Sequence, residues 1–157
     1  MKNKKFLTLS AAALVVLGLT GCSLNHEVES LSPYAPSDGV QLDVEALKSR
    51  NLMFIRSESG AAILIGSFVN STMEEVMGSI ETTDAEGNTL KFDFSVEPGG
   101  KLDLGYNGNP GLELSVSEIP GAMRNVFIAA GGDPVGILVP VLDGTLEEYR
   151  PFVEALD

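Results

Sequence analysis

The sequence predicts one all-β domain, a β-sandwich carried on a lipid-modified N-terminal tether. Three observations lead to this prediction. Apolar and polar residues alternate along several short segments, which is typical of strands with one buried face. Turn residues separate these segments at intervals of about 8–12 residues, as in sandwich folds. The single cysteine, Cys22, lies directly behind an apolar run near the N-terminus.

The first 21 residues have the pattern of an export signal. Lys2, Lys4 and Lys5 form a basic head, and the apolar run at residues 6–19 follows it. A bilayer-spanning helix needs roughly 20 apolar residues, so a run of about 14 is too short for a permanent anchor. We therefore expect residues 1–21 to be a signal peptide.

The signal ends in Leu19-Thr20-Gly21-Cys22, which resembles the bacterial lipobox. The resemblance implies that Cys22 receives a diacylglyceryl thioether, that cleavage follows Gly21, and that Cys22 becomes the acylated N-terminus. Two or more acyl chains give stable anchoring, whereas one chain does not. We expect a lipid anchor at Cys22 that holds the protein on the extracytoplasmic face of the cell membrane. The alternative is an ordinary buried cysteine in a secreted protein.

Removal of residues 1–21 makes the chain strongly acidic. The signal contains three of the ten Lys and Arg residues and none of the 22 Asp and Glu residues, so seven cations remain and the net charge is −15. Nucleic acid and anionic lipid headgroups repel such a charge. We expect no nucleic-acid partner, and contact with the membrane through the lipid at Cys22 alone.

The mature chain divides into a tether and one domain. Residues 22–38 contain few apolar residues and several polar ones, which favours a tether, and residues 39–157 are left for the β-sandwich. Tyr34, flanked by Pro33 and Pro36, is expected to pin the end of the tether to the sandwich. A role for Tyr34 in ligand binding is the alternative.

The predicted strands follow the period-two pattern. Alternation predicts strands at residues 40–44, 89–97, 102–106 and 112–116, with Leu102, Leu104 and Tyr106 on one face. Residues 61–70 and 135–142 are apolar on both faces and are expected to be central strands, with Pro140 placing part of the second at an edge or bulge. Residues 145–156 form a weak helical candidate that Pro151 interrupts.

Residues suited to catalysis or metal binding are scarce in the sequence. His26 is the only histidine and lies in the tether, so neither a Ser-His-Asp arrangement nor a His-containing zinc site is expected. The stretch Asp84-Ala85-Glu86-Gly87-Asn88 is weakly similar to a calcium loop but is predicted to be a hairpin tip. Asn70 begins an Asn-Ser-Thr glycosylation motif, which is expected to be accidental in a bacterial lipoprotein. We predict no enzymatic activity and no cofactor.

Several segments together resemble actinobacterial lipoproteins of the LpqE type. They are residues 32–40, 66–75, 96–104 and 134–142, which follow the order and spacing of that group. The same segments are similar, more distantly, to the periplasmic copper chaperones called PCu(A)C. These resemblances imply an immunoglobulin-like or cupredoxin-like sandwich.

The two resemblances imply different functions. LpqE-type proteins are accessory subunits of the respiratory supercomplex of cytochrome bcc and cytochrome oxidase, so the resemblance implies a non-catalytic subunit docked on that complex. PCu(A)C proteins bind Cu(I) through His and Met, including a His-x-Met pair. Residues 80–94 and 112–116 of this chain contain neither residue type, so the copper site is expected to be absent. A copper chaperone remains the alternative.

Overall fold

The computed structural model describes residues 36–157, which form an all-β sandwich of nine strands with a short C-terminal helix. The fold class predicted from the sequence is confirmed. The strands are β1 (Val40–Val44), β2 (Leu47–Arg56), β3 (Ala61–Asn70), β4 (Val76–Thr83), β5 (Thr89–Val96), β6 (Lys101–Leu104), β7 (Leu112–Ser115), β8 (Met123–Ala129) and β9 (Val135–Leu142). A 3₁₀ turn at Glu147–Tyr149 leads into helix α1 (Arg150–Leu156).

The strands form two sheets that share one strand. Sheet A contains β1, β2 and β3 in antiparallel order, with β6 and β7 both paired to β3 along its far side. Sheet B has the order β5-β4-β8-β9, all antiparallel. Strand β9 also pairs with β2 in parallel, so it connects the sheets along one side of the sandwich.

Strand β9 changes sheets at Pro140. Residues 135–140 pair with β8, ending with Pro140 opposite Met123, and only Val141 and Leu142 pair with β2. Proline lacks an N–H to donate to a ladder, so it is tolerated where pairing changes from one partner to another. The strand predicted to be central at residues 135–142 therefore has two partner strands in all. Residues 135–140 pair with β8, and residues 141–142 pair with β2.

A bulge in β2 changes which alternate residues of that strand face the main core, since Leu47 and Leu52 both belong to it. The register with β3 shifts between Arg50 and Met53, and Asn51 has a φ of 53°. Leu52 and Phe54 then point between the sheets, whereas Met53 points to the outer side of sheet A.

The main core lies between the sheets and is aromatic at its centre. The rings of Phe68 and Phe94 are 4.6 Å apart, and Gly78 leaves room for Phe94, since a Cβ there would lie 2.5 Å from the ring. The other fully buried residues of this core include Leu52, Phe54, Leu64, Ile80, Val126 and Val139.

A second core covers the outer face of sheet A. Helix α1 and the 3₁₀ turn pack over that face, and the members of the cluster are Met53, Ile55, Ile63, Ile65 and Tyr149, with Tyr106, Leu142, Phe152, Val153 and Leu156 at its margin. Tyr106 and Phe152 meet edge to face at 5.5 Å. Ile63 and Ile65 belong to β3, which explains why that strand is apolar on both faces.

Two local predictions are wrong. Tyr106 does not share a face with Leu102 and Leu104, because β6 ends at Leu104 and Gly105 has a φ of +77°. The chain turns there, and Tyr106 packs on the opposite face. Pro151 does not interrupt the C-terminal helix but lies in its first turn, where its missing N–H costs no hydrogen bond.

Candidate functional site

The outer face of sheet B is apolar along the β8–β9 hairpin. Alternation directs Arg124, Val126 and Ile128 inwards and their neighbours in β8 outwards. We call the outward group of Met123, Phe127, Leu138 and Pro140 the β8–β9 apolar face. Met123, Phe127 and Leu138 are 46%, 44% and 50% exposed, so nearly half of each side chain is in contact with solvent.

The register of the hairpin brings these side chains together. Met123 is opposite Pro140, and Phe127 is opposite Gly136, with Leu138 opposite Asn125 between them. Gly136 has no side chain, and the ring of Phe127 lies across it, since a Cβ at that position would be 3.1 Å from a ring carbon. The result is an apolar surface on a hydrogen-bonded hairpin, with the exposed Asn125 beside Leu138 at its centre.

An acidic groove adjoins this face on the same sheet. It has a volume of about 550 Å³, and Glu81, Asp93, Lys91, Met77 and the glycines of the β8–β9 turn line it. Glu81 is directly opposite Phe127 on β8 and opposite Lys91 on β5. Lys91 also contacts Asp93 at 3.2 Å. One cation therefore faces two carboxylates, and the groove carries a net negative charge.

Tyr149 and Asp38 connect the first described residues to the C-terminal segment. The Tyr149 hydroxyl donates to Asp38 Oδ2 at 2.7 Å, and the Gly39 N–H donates to Asn51 Oδ1 at 3.0 Å. Burial first, and then the Asp38 carboxylate, raise the pKa of Tyr149 far above its ordinary value. This pair ties residue 38 to the C-terminal segment. The pinning role predicted for Tyr34 lies outside the described residues and stays a prediction.

Asp103 is a buried carboxylate on the outer side of sheet A. It is 6% exposed and accepts hydrogen bonds from Ser67 at 2.6 Å and from Asn107 at 2.6 Å, with Lys101 at 2.8 Å. The Lys101 contact, followed by the Ser67 hydrogen bond, lowers the pKa of Asp103. A fully partnered carboxylate of this kind stabilises the loop after β6 and has little capacity as a base.

The candidate residues of the tether lie outside the described range, except Pro36. Cys22, His26, Pro33 and Tyr34 precede residue 36, and Pro36 is exposed at the start of the described chain. The stretch at residues 84–88 connects β4 to β5 as a hairpin tip, where the Asp84 carboxylate accepts hydrogen bonds from the backbone N–H groups of Glu86 and Asn88.

Asn70 is 1% exposed and its amide is fully engaged. Its Nδ2 donates to the carbonyls of Glu74, Val96 and Glu97, and its Oδ1 accepts from Thr72. Glycosylation needs an accessible amide, so the buried Asn70 is not a glycan acceptor in the folded domain.

The methionines are spread over the domain. Met53 is buried, whereas Met73 and Met77 are 89% and 61% exposed near the start of β4. Strand β8 runs antiparallel to β4 with Ser79 opposite Ala129, so Met77 and Met123 lie at opposite ends of the pair. Within residues 36–157, no group of three or more His, Cys, Asp or Glu side chains is arranged to hold a metal ion.

Two open grooves flank Arg56 at one end of the sandwich. One has a volume of about 590 Å³ and contains Glu86 and Glu113, and the other has a volume of about 510 Å³ and contains Glu58 and Asp143. Arg56 Nη1 donates to the Ser57 carbonyl at 3.0 Å, and the carboxylates that line both grooves oppose capture of an anion.

The sequence did not indicate the β8–β9 apolar face, because β8 itself was not predicted. Its seven residues include Arg124 and Asn125, which obscure the alternation, although Val126, Phe127 and Ile128 form an apolar run. That run, followed by a Gly-Gly-Asp-Pro turn and the apolar β9, is the signal that could have identified the hairpin.

The chain is similar to a curated protein of Leifsonia xyli subsp. xyli that is described as "Putative lipoprotein Lxx21020". The two are 24% identical over 165 residues, which span 95% of this chain and 98% of the relative. No protein-family model matches the chain. The similarity along nearly the whole length supports a lipoprotein of actinobacterial type, in agreement with the residues around Cys22. In the part of the chain from residue 36 onwards, the only α-helix is too short to cross a membrane.

Proposed function

We propose that this protein is an extracytoplasmic lipoprotein, anchored through acylated Cys22, that works without catalysis by docking on a membrane protein complex. The observation that carries the proposal is the β8–β9 apolar face. Single exposed apolar residues are common, but a contiguous apolar patch with a polar border is typical of a protein-binding surface. Here the opposite outer face of the sandwich is covered by helix α1, whereas this one is open among the described residues.

The anchor makes a modest docking contact sufficient. A tether confines the domain to a thin layer above the membrane, which raises its effective concentration near any membrane complex. The net charge of −15 expected after removal of residues 1–21 favours partners with basic surfaces and gives an attraction that salt weakens.

The partner implied by the resemblance to LpqE-type lipoproteins is the cytochrome bcc–oxidase supercomplex, bound on its extracytoplasmic side. Docking is favoured over copper transport because residues 36–157 contain no histidine, and Met123 lies at the opposite end of the β4–β8 pair from Met73 and Met77. Cu(I) carriers of the PCu(A)C type use a His-x-Met pair, and the described residues cannot supply one.

Affinity purification tests the proposal. The tagged full-length protein is purified from gently solubilised native membranes, and partners are quantified by mass spectrometry. We expect supercomplex subunits to be enriched over bulk membrane, and Cys22→Ala to lose most of this enrichment. Equal abundance in the purified sample and in bulk membrane would contradict the docking function.

A further inference from the structure

We propose that the β8–β9 apolar face and the adjoining acidic groove form the docking surface, and that its occupant is a protein with a projecting apolar side chain flanked by Lys or Arg. This inference rests on the proposed function and adds the place of contact and the chemistry of the partner. Three features of the described residues support it: the shape of the face, the edge strand that borders it, and the charge around it.

The face is pre-formed and holds rigid anchors. Phe127 and Leu138 project from a paired hairpin, and the Phe127 ring rests on Gly136 instead of folding into the core. Aromatic and apolar anchors on ordered strands lose little conformational entropy when a partner covers them. Residues of this kind dominate the binding energy of protein interfaces when they lie near the centre.

The edge of sheet B that is formed by β9 differs from the other sheet edges in the described domain. Exposed edges are usually protected by charged residues, and β1, β5, β6 and β7 each contain at least one Asp, Glu or Lys. Strand β9 contains none in eight residues, and residues 135–139 pair with β8 alone. Strand β1 lies close to this edge without pairing to it, and an uncharged edge strand is less protected against association than a charged one.

The border of the face is acidic. Lys91 in the groove pairs with Asp93 and lies opposite Glu81 on the neighbouring strand. Asp133 lies in the β8–β9 turn, and Arg124 points inwards at 4% exposure to pair with Glu118. A second copy of this chain would bring the same acidic border and the same net charge, which repel. Anionic headgroups are repelled in the same way. Complementarity therefore favours a protein partner with basic residues around an apolar centre.

Co-purification of surface variants tests the inference in the full-length, anchored protein. Phe127→Ser combined with Leu138→Ser should reduce partner recovery at least about tenfold, as expected for loss of interface anchors. Leu146→Ser is the matched control, since Leu146 is 47% exposed outside this face and its loss should leave recovery unchanged. Glu81→Lys should reduce recovery several-fold, whereas Glu148→Lys makes the same change in net charge elsewhere and should not.

Photocrosslinking in cells identifies the occupant. We introduce p-benzoylphenylalanine at Leu138 or, as a control, at Leu146. We expect an adduct at position 138 only, with a protein that co-purifies with the wild type and whose crosslinked peptide contains Lys or Arg. An adduct made of this chain alone, an adduct with lipid, or no adduct at position 138 would overturn the inference.

These outcomes separate the inference from the proposed function. If the wild type co-purifies with a complex and the Phe127 and Leu138 variant does so equally well, the docking surface is wrong and the docking function stands. If the wild type is not enriched with any complex, the proposed function fails first. Urea unfolding of each variant shows whether any loss of recovery comes from loss of folding.

Discussion

The two outer faces of the sandwich are made of similar residues and have opposite exposure. On sheet A, Ile55 and Ile65 are fully buried beneath Tyr149 and Phe152. On sheet B, Phe127 and Leu138 occupy equivalent outward positions and remain about half exposed. The difference comes from the last 11 residues of the chain, because the 3₁₀ turn and helix α1 cover one face and leave the other open.

This comparison separates residues that hold the fold together from residues available to a partner. Apolar side chains under helix α1 stabilise the domain by leaving water during folding, at about 25 cal/mol per Å² of buried surface. Those of the β8–β9 apolar face are only partly removed from water, so much of their hydrophobic free energy is available for binding. Variants of the two faces should therefore affect different measurements.

The largest expected effect is on stability at the covered face. Ile65→Ala should lower the free energy of unfolding by about 2–5 kcal/mol, because it removes a fully buried side chain and leaves a cavity. Leu138→Ala, on the open face, should change it by no more than about 1 kcal/mol. Urea denaturation measures both. Equal losses at the two positions would show that the faces are not distinct.

A smaller effect is expected at the point where the covering segment contacts the start of the domain. Tyr149→Phe keeps the ring and removes the hydrogen bond to Asp38, so we expect a loss of about 1–2 kcal/mol in the free energy of unfolding. Tyr106→Phe is the control, because its ring packs in the same cluster. If both variants lose the same amount, the Asp38 contact has no special role.

The same tyrosine predicts a pH dependence. The pKa of Tyr149 is raised on folding, so the stability contributed by its neutral phenol is fully present below pH 10, its unfolded value, and falls as the pH rises further. The decline should be steeper in the wild type than in Tyr149→Phe, by up to about 1.4 kcal/mol per pH unit. Part of the decline should remain in the variant, because burial also raises the pKa of Tyr106. Urea titrations between pH 9 and pH 11 test this, and parallel curves for the two proteins would contradict it.

The sequence predicted the fold class and six of the nine strands, in some cases to the residue. Strand β3 was predicted at residues 61–70 and β9 at residues 135–142, and the structure has both with those bounds. These strands were recognisable because long apolar runs are bounded by turn residues. Strands β2, β4 and β8 were not predicted, since the bulge in β2, Gly78 in β4 and Arg124 in β8 each break the alternation.

The candidate site was much harder to predict than the fold. An apolar residue on the second face of a strand has the same appearance in the sequence whether a helix covers it, as for Ile65, or nothing does, as for Leu138. Only the tertiary position of the C-terminal segment decides between them. Even that segment was assigned incorrectly, because Pro151 suggested an interruption where the helix in fact begins.

The smallest expected change in stability concerns Gly136, beneath the Phe127 ring. Gly136→Ala adds a methyl group that would lie 3.1 Å from the ring, so the ring must move away. The shift costs little on an exposed surface, and Ala restricts the unfolded chain, so the free energy of unfolding should change by less than about 0.5 kcal/mol. Partner recovery should nevertheless fall several-fold, because the Phe127 ring is displaced from the apolar face without any change in charge. Ser95→Ala, an exposed change on β5 of the same sheet, should leave recovery unaltered.

Unaltered recovery in Gly136→Ala would mean that the position of the Phe127 ring does not matter for docking. Impaired recovery with intact folding would separate the open face from the covered one by a single methyl group.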